Sequence, residues 1–105
     1  MARIAAAGQN GKIIPEADDA RTFTLFEITE DFRINGMSEE SVCAEDNKII
    51  VRFLAARNVS VLVCGNISDS LKEQLKKAGI ACAEGCRGSI IPAVGNYLMK
   101  RILNH

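Results

Sequence analysis

Apolar residues along this chain fall into short runs whose spacing switches between the period of strands and that of helices. Arg3 to Ala7 is an apolar run that ends at Gly8 and reads as a strand. Gln9 to Lys12 follows as a turn, since Asn-Gly is a strong turn dipeptide, and a loop continues through Pro15 and the polar stretch Glu16 to Ala20. Thr22 to Ile28, rich in β-branched and aromatic residues, predicts a second strand. Phe32 to Met37 predicts a third, joined to it by a tight turn at Thr29 to Asp31. After a polar loop holding Cys43 the period becomes helical. Asp46 caps a helix through about Arg57, with Ile49, Ile50, Phe53 and Leu54 on one face.

Val59 to Cys64 is a continuous apolar run, as expected of a strand buried on both faces. Ser68 caps a second helix in which Leu71, Leu75 and Ala78 share a stripe and Gly79 supplies the stop. Ile80 to Ala83 predicts a short strand. Ser89 opens a last helix that tolerates Pro92 in its first turn and buries Ile90, Ile91, Val94, Leu98 and Ile102. The order β-β-β-α-β-α-β-α predicts a three-layer α/β domain spanning residues 1–105. Its mixed five-stranded sheet has an antiparallel second strand and three helices shared between the two faces. In that topology four segments meet at one end of the sheet, where open α/β sheets hold ligands: the loop after the first strand, the Cys43 loop, Cys64, and the Gly85 to Gly88 turn.

Composition narrows the function classes. The 48% apolar and 25% charged residues are those of an ordinary globular domain that can bury a core without staples. Thirteen basic residues cancel thirteen acidic ones, and with no Trp and one Tyr there is no stacking platform, so nucleic-acid binding is not expected. No apolar run approaches a membrane span, and the N-terminal run is too short for a signal-peptide core. A cytoplasmic location is therefore expected, with Cys43, Cys64, Cys82 and Cys86 as reduced thiols.

Those thiols carry the candidate chemistry. Cys64 ends a strand, and Cys86 sits in a turn between Gly85 and Gly88, so both are candidate ligands for soft metals or a cluster, with Cys43 a third. Each has a plain alternative: Cys64 as a packed core thiol, Cys43 as a surface thiol. Cys82 is expected to face the core. Three thiolates leave an iron–sulfur cluster one ligand short, to be supplied by Cys82, water or a second subunit. The glycines of the turn let backbone N–H groups approach an anion, Arg87 adds a cation, and the last helix aims its positive end there. Gly65, Asn66, Gly85, Arg87 and Gly88 are therefore candidate pocket residues. Glu16, Asp18 and Asp19 crowd a loop and read as solvated. The first strand carries no carboxylate and the single histidine is His105, so no hydrolytic constellation can be built.

The segment Val61-Leu-Val-Cys-Gly-Asn-Ile67, the helix end Leu75-Lys-Lys-Ala-Gly-Ile80 and the Gly85-x-x-Gly-Ser89 turn together resemble the dinitrogenase iron–molybdenum cofactor biosynthesis family, and the resemblance covers nearly the whole chain. It implies a ribonuclease-H-like fold. It also implies a protein that binds, carries or helps insert an iron–sulfur or molybdenum-containing cluster, alongside assembly proteins or a client metalloprotein. Members of the family often carry a Ser-x-His-Phe-Gly-Arg-like loop. Aligned through Pro15 and Phe23, its histidine falls on Glu16, and Ala17-Asp-Asp19 replaces Phe-Gly-Arg. Cluster ligation would then rest on thiolates. Two other readings stay open on the residues alone: a non-metal module that binds a small anion or a protein with passive cysteines, and a thiol redox enzyme using Cys86. The expectation is a binding protein rather than an enzyme.

Overall fold

The computed structural model describes residues 2–43 and 46–103, with side chains as far as Arg101. The expected membership of Ile102 in a buried face, and His105, lie outside that description. The strands are β1 Ala2–Gln9, β2 Lys12–Ile13, β3 Thr22–Ile28, β4 Ile34–Ser41, β5 Val59–Val63 and β6 Ala81–Ala83. The helices are α1 Asn47–Ala56, α2 Asp69–Lys77 and α3 Ile90–Leu103, with a 3-10 turn at Ala17–Asp19. The main sheet runs β4-β3-β1-β5-β6, and β2 pairs with β1 outside that path. β3 is antiparallel to both β1 and β4, whereas β1, β5 and β6 are parallel, which is the predicted mixed sheet.

Alternation along the strands feeds two cores. Ala5, Ala7, Phe23, Leu25 and Leu62 meet α1 and α2 on one face, while Ile4, Ala6, Phe26 and Val63 meet α3 on the other. The helix caps follow the sequence closely. Asp46 accepts from the Lys48 and Ile49 N–H groups, and Ser68 Oγ accepts from Leu71 N–H. After α2, Gly79 at φ 82° donates to Lys76 O and Ile80 donates to Leu75 O, a Schellman ending. Because the chain reverses there, Ile80 enters the core and Ala78, expected in the buried stripe, is exposed.

Three further expectations are corrected. The sheet has six strands rather than five, because Lys12–Ile13 folds back on β1 through Asn10 and Gly11. Both sit at positive φ, 54° and 77°, as a type I′ hairpin requires. Two residues carry no period, so the pattern showed only the turn. The fourth strand in chain order runs Ile34–Ser41 rather than Phe32 to Met37. A turn closed by Thr29 holds Phe32 at φ 61°, with Arg33 N–H donating to Thr29 Oγ1. β4 is an edge strand with mostly exposed side chains, so its polar end Ser38 to Ser41 gave no strand signal. Ile91 is 57% exposed, because α3 aims Ile90, Val94 and Leu98 at the sheet and leaves Ile91 to one side.

Candidate functional site

The carboxyl ends of β1, β5 and β6 converge on a crevice built mainly from backbone. Beyond β5, Gly85 donates to Gly65 O and Cys86 donates to Cys64 O, both at 2.9 Å, which zips the Glu84 to Cys86 segment to the strand end. Gly85 and Gly88 have φ of 79° and 86°, a left-handed conformation that glycine adopts without a Cβ penalty. From the other side, β2 holds the same turn. Ile13 donates to Gly88 O and Ile90 donates to Gly11 O, both at 2.8 Å. The strap after β2 is fastened to the end of β5, with Asn66 N–H donating to Pro15 O and Ala17 N–H to Asn66 O. At Gly65 a Cβ would lie 2.6 Å from Pro15 O and 3.0 Å from Ile14 O, so the strap can approach this closely only over a glycine.

The result is a cleft of about 340 Å³, walled by the Ile13 to Pro15 strap on one side and by Gly65, Asn66, Gly85, Cys86 and Arg87 on the other. It gathers four of the five candidate pocket residues and one candidate thiol. Gly88, the fifth, does not line it; its carbonyl accepts from Ile13 of β2. Among the described residues, the N–H groups of Arg87, Gly88 and Ser89 meet no acceptor and the Arg87 guanidinium meets no carboxylate. The 14-residue helix α3 begins immediately after them and adds the positive end of its dipole. Chemically the cleft offers one thiol, one guanidinium and the unpaired N–H of Arg87, a set suited to a soft, anionic guest, while the N–H groups of Ile13, Ile14, Asn66, Gly85 and Cys86 are spent on bonds within the chain.

The cysteines do not share one environment. Cys86 is half-buried, packs against the α3-side core, and its Sγ lies 3.5 Å from Ala83 O. Cys64 is fully buried in the opposite core, beneath α1 and α2, and half-buried Cys82 packs against that same core. Burial first, then the neighbouring Cys82 and Cys86, push the Cys64 thiol up to about 12. Burial and the Glu84 carboxylate also raise Cys82, against the pull of Lys72. Cys43 is exposed just beyond β4, at the expected end of the sheet. The strand order, however, puts it three strands from β5, roughly 14 Å across the sheet at ordinary strand spacing. Among the described residues no three His, Cys, Asp or Glu side chains gather as a metal site.

Two features escaped the sequence. The walls Ile13 to Pro15 depend on the short β2. Asp18, read as a solvated loop acid, instead joins both helices of one face. Its carboxylate accepts from Ser68 N–H at 2.9 Å, Ser68 Oγ at 2.5 Å and Asn47 Nδ2 at 3.1 Å. Partial burial raises its pKa, but these hydrogen bonds outweigh that and hold the carboxyl below its ordinary value. Glu16, at the family's histidine position, accepts from Asn66 Nδ2 at 3.2 Å and so braces the cleft wall. The partners of Asp18 at Ser68 are 50 residues away, so no local pattern could have signalled them.

Fold and cleft together define a small α/β domain with an anion-suited crevice at the carboxyl ends of its parallel strands. The chain belongs to the dinitrogenase iron-molybdenum cofactor family, whose model matches residues 1–100. Membership ties it to that cofactor and to a role associated with cofactor biosynthesis. No match was found among curated proteins. Solved structures share the fold. The crystal structure of the protein PH0822 is 15% identical, with a TM-score of 0.85, 93% of this chain and 89% of that one being covered. The apo form of the orange protein from Desulfovibrio gigas is 20% identical, with a TM-score of 0.75 and 96% and 90% covered. A protein of Thermotoga provisionally described as NifB is 22% identical, with a TM-score of 0.69 and 96% and 90% covered. No helix among the described residues is long and apolar enough to cross a membrane.

Proposed function

We propose that this protein binds, carries or helps insert an iron–sulfur or molybdenum-containing cluster during cofactor biosynthesis, holding it as cargo in the cleft between the Ile13 to Pro15 strap and the Gly85 to Gly88 turn. The observation that carries this reading is the coincidence of Cys86, the unpaired Arg87 guanidinium and the unpaired Arg87 N–H in the wall of one cleft, with the unpaired N–H groups of Gly88 and Ser89 following in the chain toward α3. A sulfide-rich cluster is a soft anion, and such a site meets it with one thiolate and several hydrogen-bond donors rather than a full cage of cysteines. Cys86 is then the primary thiolate. Cys64 or Cys43 would join it only after a side-chain rearrangement or from a second copy. Gly65 and Asn66 shape the floor, and Glu16 orients Asn66.

The test is anaerobic reconstitution with tetrathiomolybdate or with iron and sulfide, read by visible charge-transfer absorption and by metal analysis after desalting. Cys86→Ser and Arg87→Ala should each lower the bound metal, while Cys64→Ser retains it. Wild-type loading in both cleft variants would overturn the reading. Retained metal with all four cysteines replaced would favour a purely anionic guest held by the same N–H groups.

A further inference from the structure

A second and larger cleft, about 510 Å³, lies on the other side of Cys86 and Arg87, and the cluster-binding reading leaves it without a role. One wall is Ser89, just before α3, and a single face of that helix: Pro92, Ala93, Asn96, Tyr97 and Lys100. Their spacing of three and four residues is a second stripe beside the core stripe Ile90, Val94 and Leu98. The facing wall is the Ala83 to Arg87 segment that leaves the edge strand β6. From Ser89 to Lys100 the helix wall runs about 16 Å at the usual rise per residue. Its floor is apolar, from the half-buried Ala83, Ala93 and Tyr97, with the exposed Pro92 at the rim.

Charge selects the guest. Arg87 stands at one end of the groove and Lys100 at the other, and among the described residues neither meets a carboxylate. The acid at the rim, Glu84, is held by Lys72 of α2 at 2.6 Å. A compact anion engages one end and leaves the second cation and the apolar floor uncovered. An elongated acidic chain covers all three. We propose that this groove docks an extended acidic peptide segment of a partner protein, about five residues long at the rise of a strand, with acidic side chains toward Arg87 and Lys100 and an apolar one between them on the Ala93–Tyr97 floor. The two clefts share Cys86 and Arg87, so a partner seated here stands beside the proposed cargo site.

The test uses metal-free protein, so that its failure is independent of any failure of cluster binding. Isotope-labelled protein is titrated with acetyl-Glu-Ser-Leu-Ser-Glu-amide, whose two acids and central leucine share one face of a strand, with its lysine-for-glutamate counterpart, and with inorganic phosphate, and amide shifts are followed. The acidic peptide should move Ala83, Asn96, Tyr97 and Lys100, the basic peptide should not, and phosphate should move at most the Arg87 end. Lys100→Glu, at an exposed position, should keep the fold by its amide spectrum and weaken the acidic peptide roughly fivefold, the scale of one exposed charge pair. Equal response to both peptides, shifts centred elsewhere, no shifts at all, or unchanged affinity in Lys100→Glu would overturn the proposal. A phosphate response matching that of the peptide would make the groove a simple anion site and overturn it as well.

Discussion

Gly65→Ala is the sharpest probe of how the cleft is built. The added methyl group would sit 2.6 Å from Pro15 O, 3.0 Å from Ile14 O and 3.3 Å from Cys86 O, all backbone atoms that cannot rotate away. The strap must therefore move off the strand end. That movement strains or breaks the Asn66 N–H bond to Pro15 O and the Ala17 N–H bond to Asn66 O, each 2.8 Å long. Overpacking costs about 1–3 kcal/mol and a lost hydrogen bond about 1 kcal/mol, so with partial relaxation the variant should lose about 3 kcal/mol. For a domain of this size that lowers Tm by more than 10 °C, roughly, in a thermal melt followed by circular dichroism. Two other glycines calibrate the result. Gly79→Ala meets no atom within 4 Å but must hold φ 82°, and should lose about 1–2 kcal/mol. Gly95→Ala also meets nothing, lies inside α3 and should gain about 0.5–1 kcal/mol. If Gly65→Ala melts at or above Gly79→Ala, the steric account of the strap is wrong.

Asp18→Asn should cost about 1 kcal/mol at neutral pH after allowance for solvent screening, because an amide cannot accept from Ser68 and Asn47 as the carboxylate does. The carboxyl is depressed below its ordinary 3.8 in the folded chain, so its contribution is present above that pH and lost as pH falls through the lower folded value. Urea melts should thus show the gap between wild type and Asp18→Asn closing in acid, and a gap independent of pH would refute the assignment. The Cys64 thiol, pushed from 9.0 up to about 12, stays protonated while the unfolded chain ionises, so its contribution to stability is lost between those values as pH rises. Mass spectrometry after brief iodoacetamide treatment at neutral pH should find Cys43 alkylated and Cys64 untouched until the protein is unfolded. Prompt native labelling of Cys64 would contradict its burial.

Much of the fold was legible because its longer elements are periodic and punctuated. Thr22 to Ile28 matches β3 residue for residue, and Asp46, Ser68 and Gly79 mark helix ends by local chemistry that needs no tertiary context. The misses have a common cause. Whether Ile91 or Ala78 meets the core depends on how a helix rolls against the sheet, and a hydrophobic residue on the edge of a stripe does not encode that. β4 formed a strand because β3 offered it a hydrogen-bonding edge; its own side chains are mostly exposed and polar. Tertiary pairing overrode pattern there.

The site shows the same division between local and long-range information. Topology and glycine spacing were enough to bring Gly65, Asn66, Gly85, Cys86 and Arg87 to one cleft. They could not tell which face of the sheet each thiol takes. Cys64 continues β5 in the alternation that sends Leu62 toward α1 and α2, whereas Cys86 lies past a left-handed glycine that breaks the alternation and turns its side chain to the α3 face. One hydrogen bond therefore joins the two backbones while their thiols belong to separate cores. The two-residue β2 works in the same hidden way. It bonds to Gly88 O, and Gly11 O of the adjoining hairpin turn receives Ile90 N–H, which fastens the start of α3 to the hairpin. The cleft is thus walled by backbone whose N–H groups are mostly paired within the chain, at Ile13, Ile14, Asn66, Gly85 and Cys86, and its shape follows from that pairing. Its shape is carried by glycines and a short hairpin more than by its cysteines.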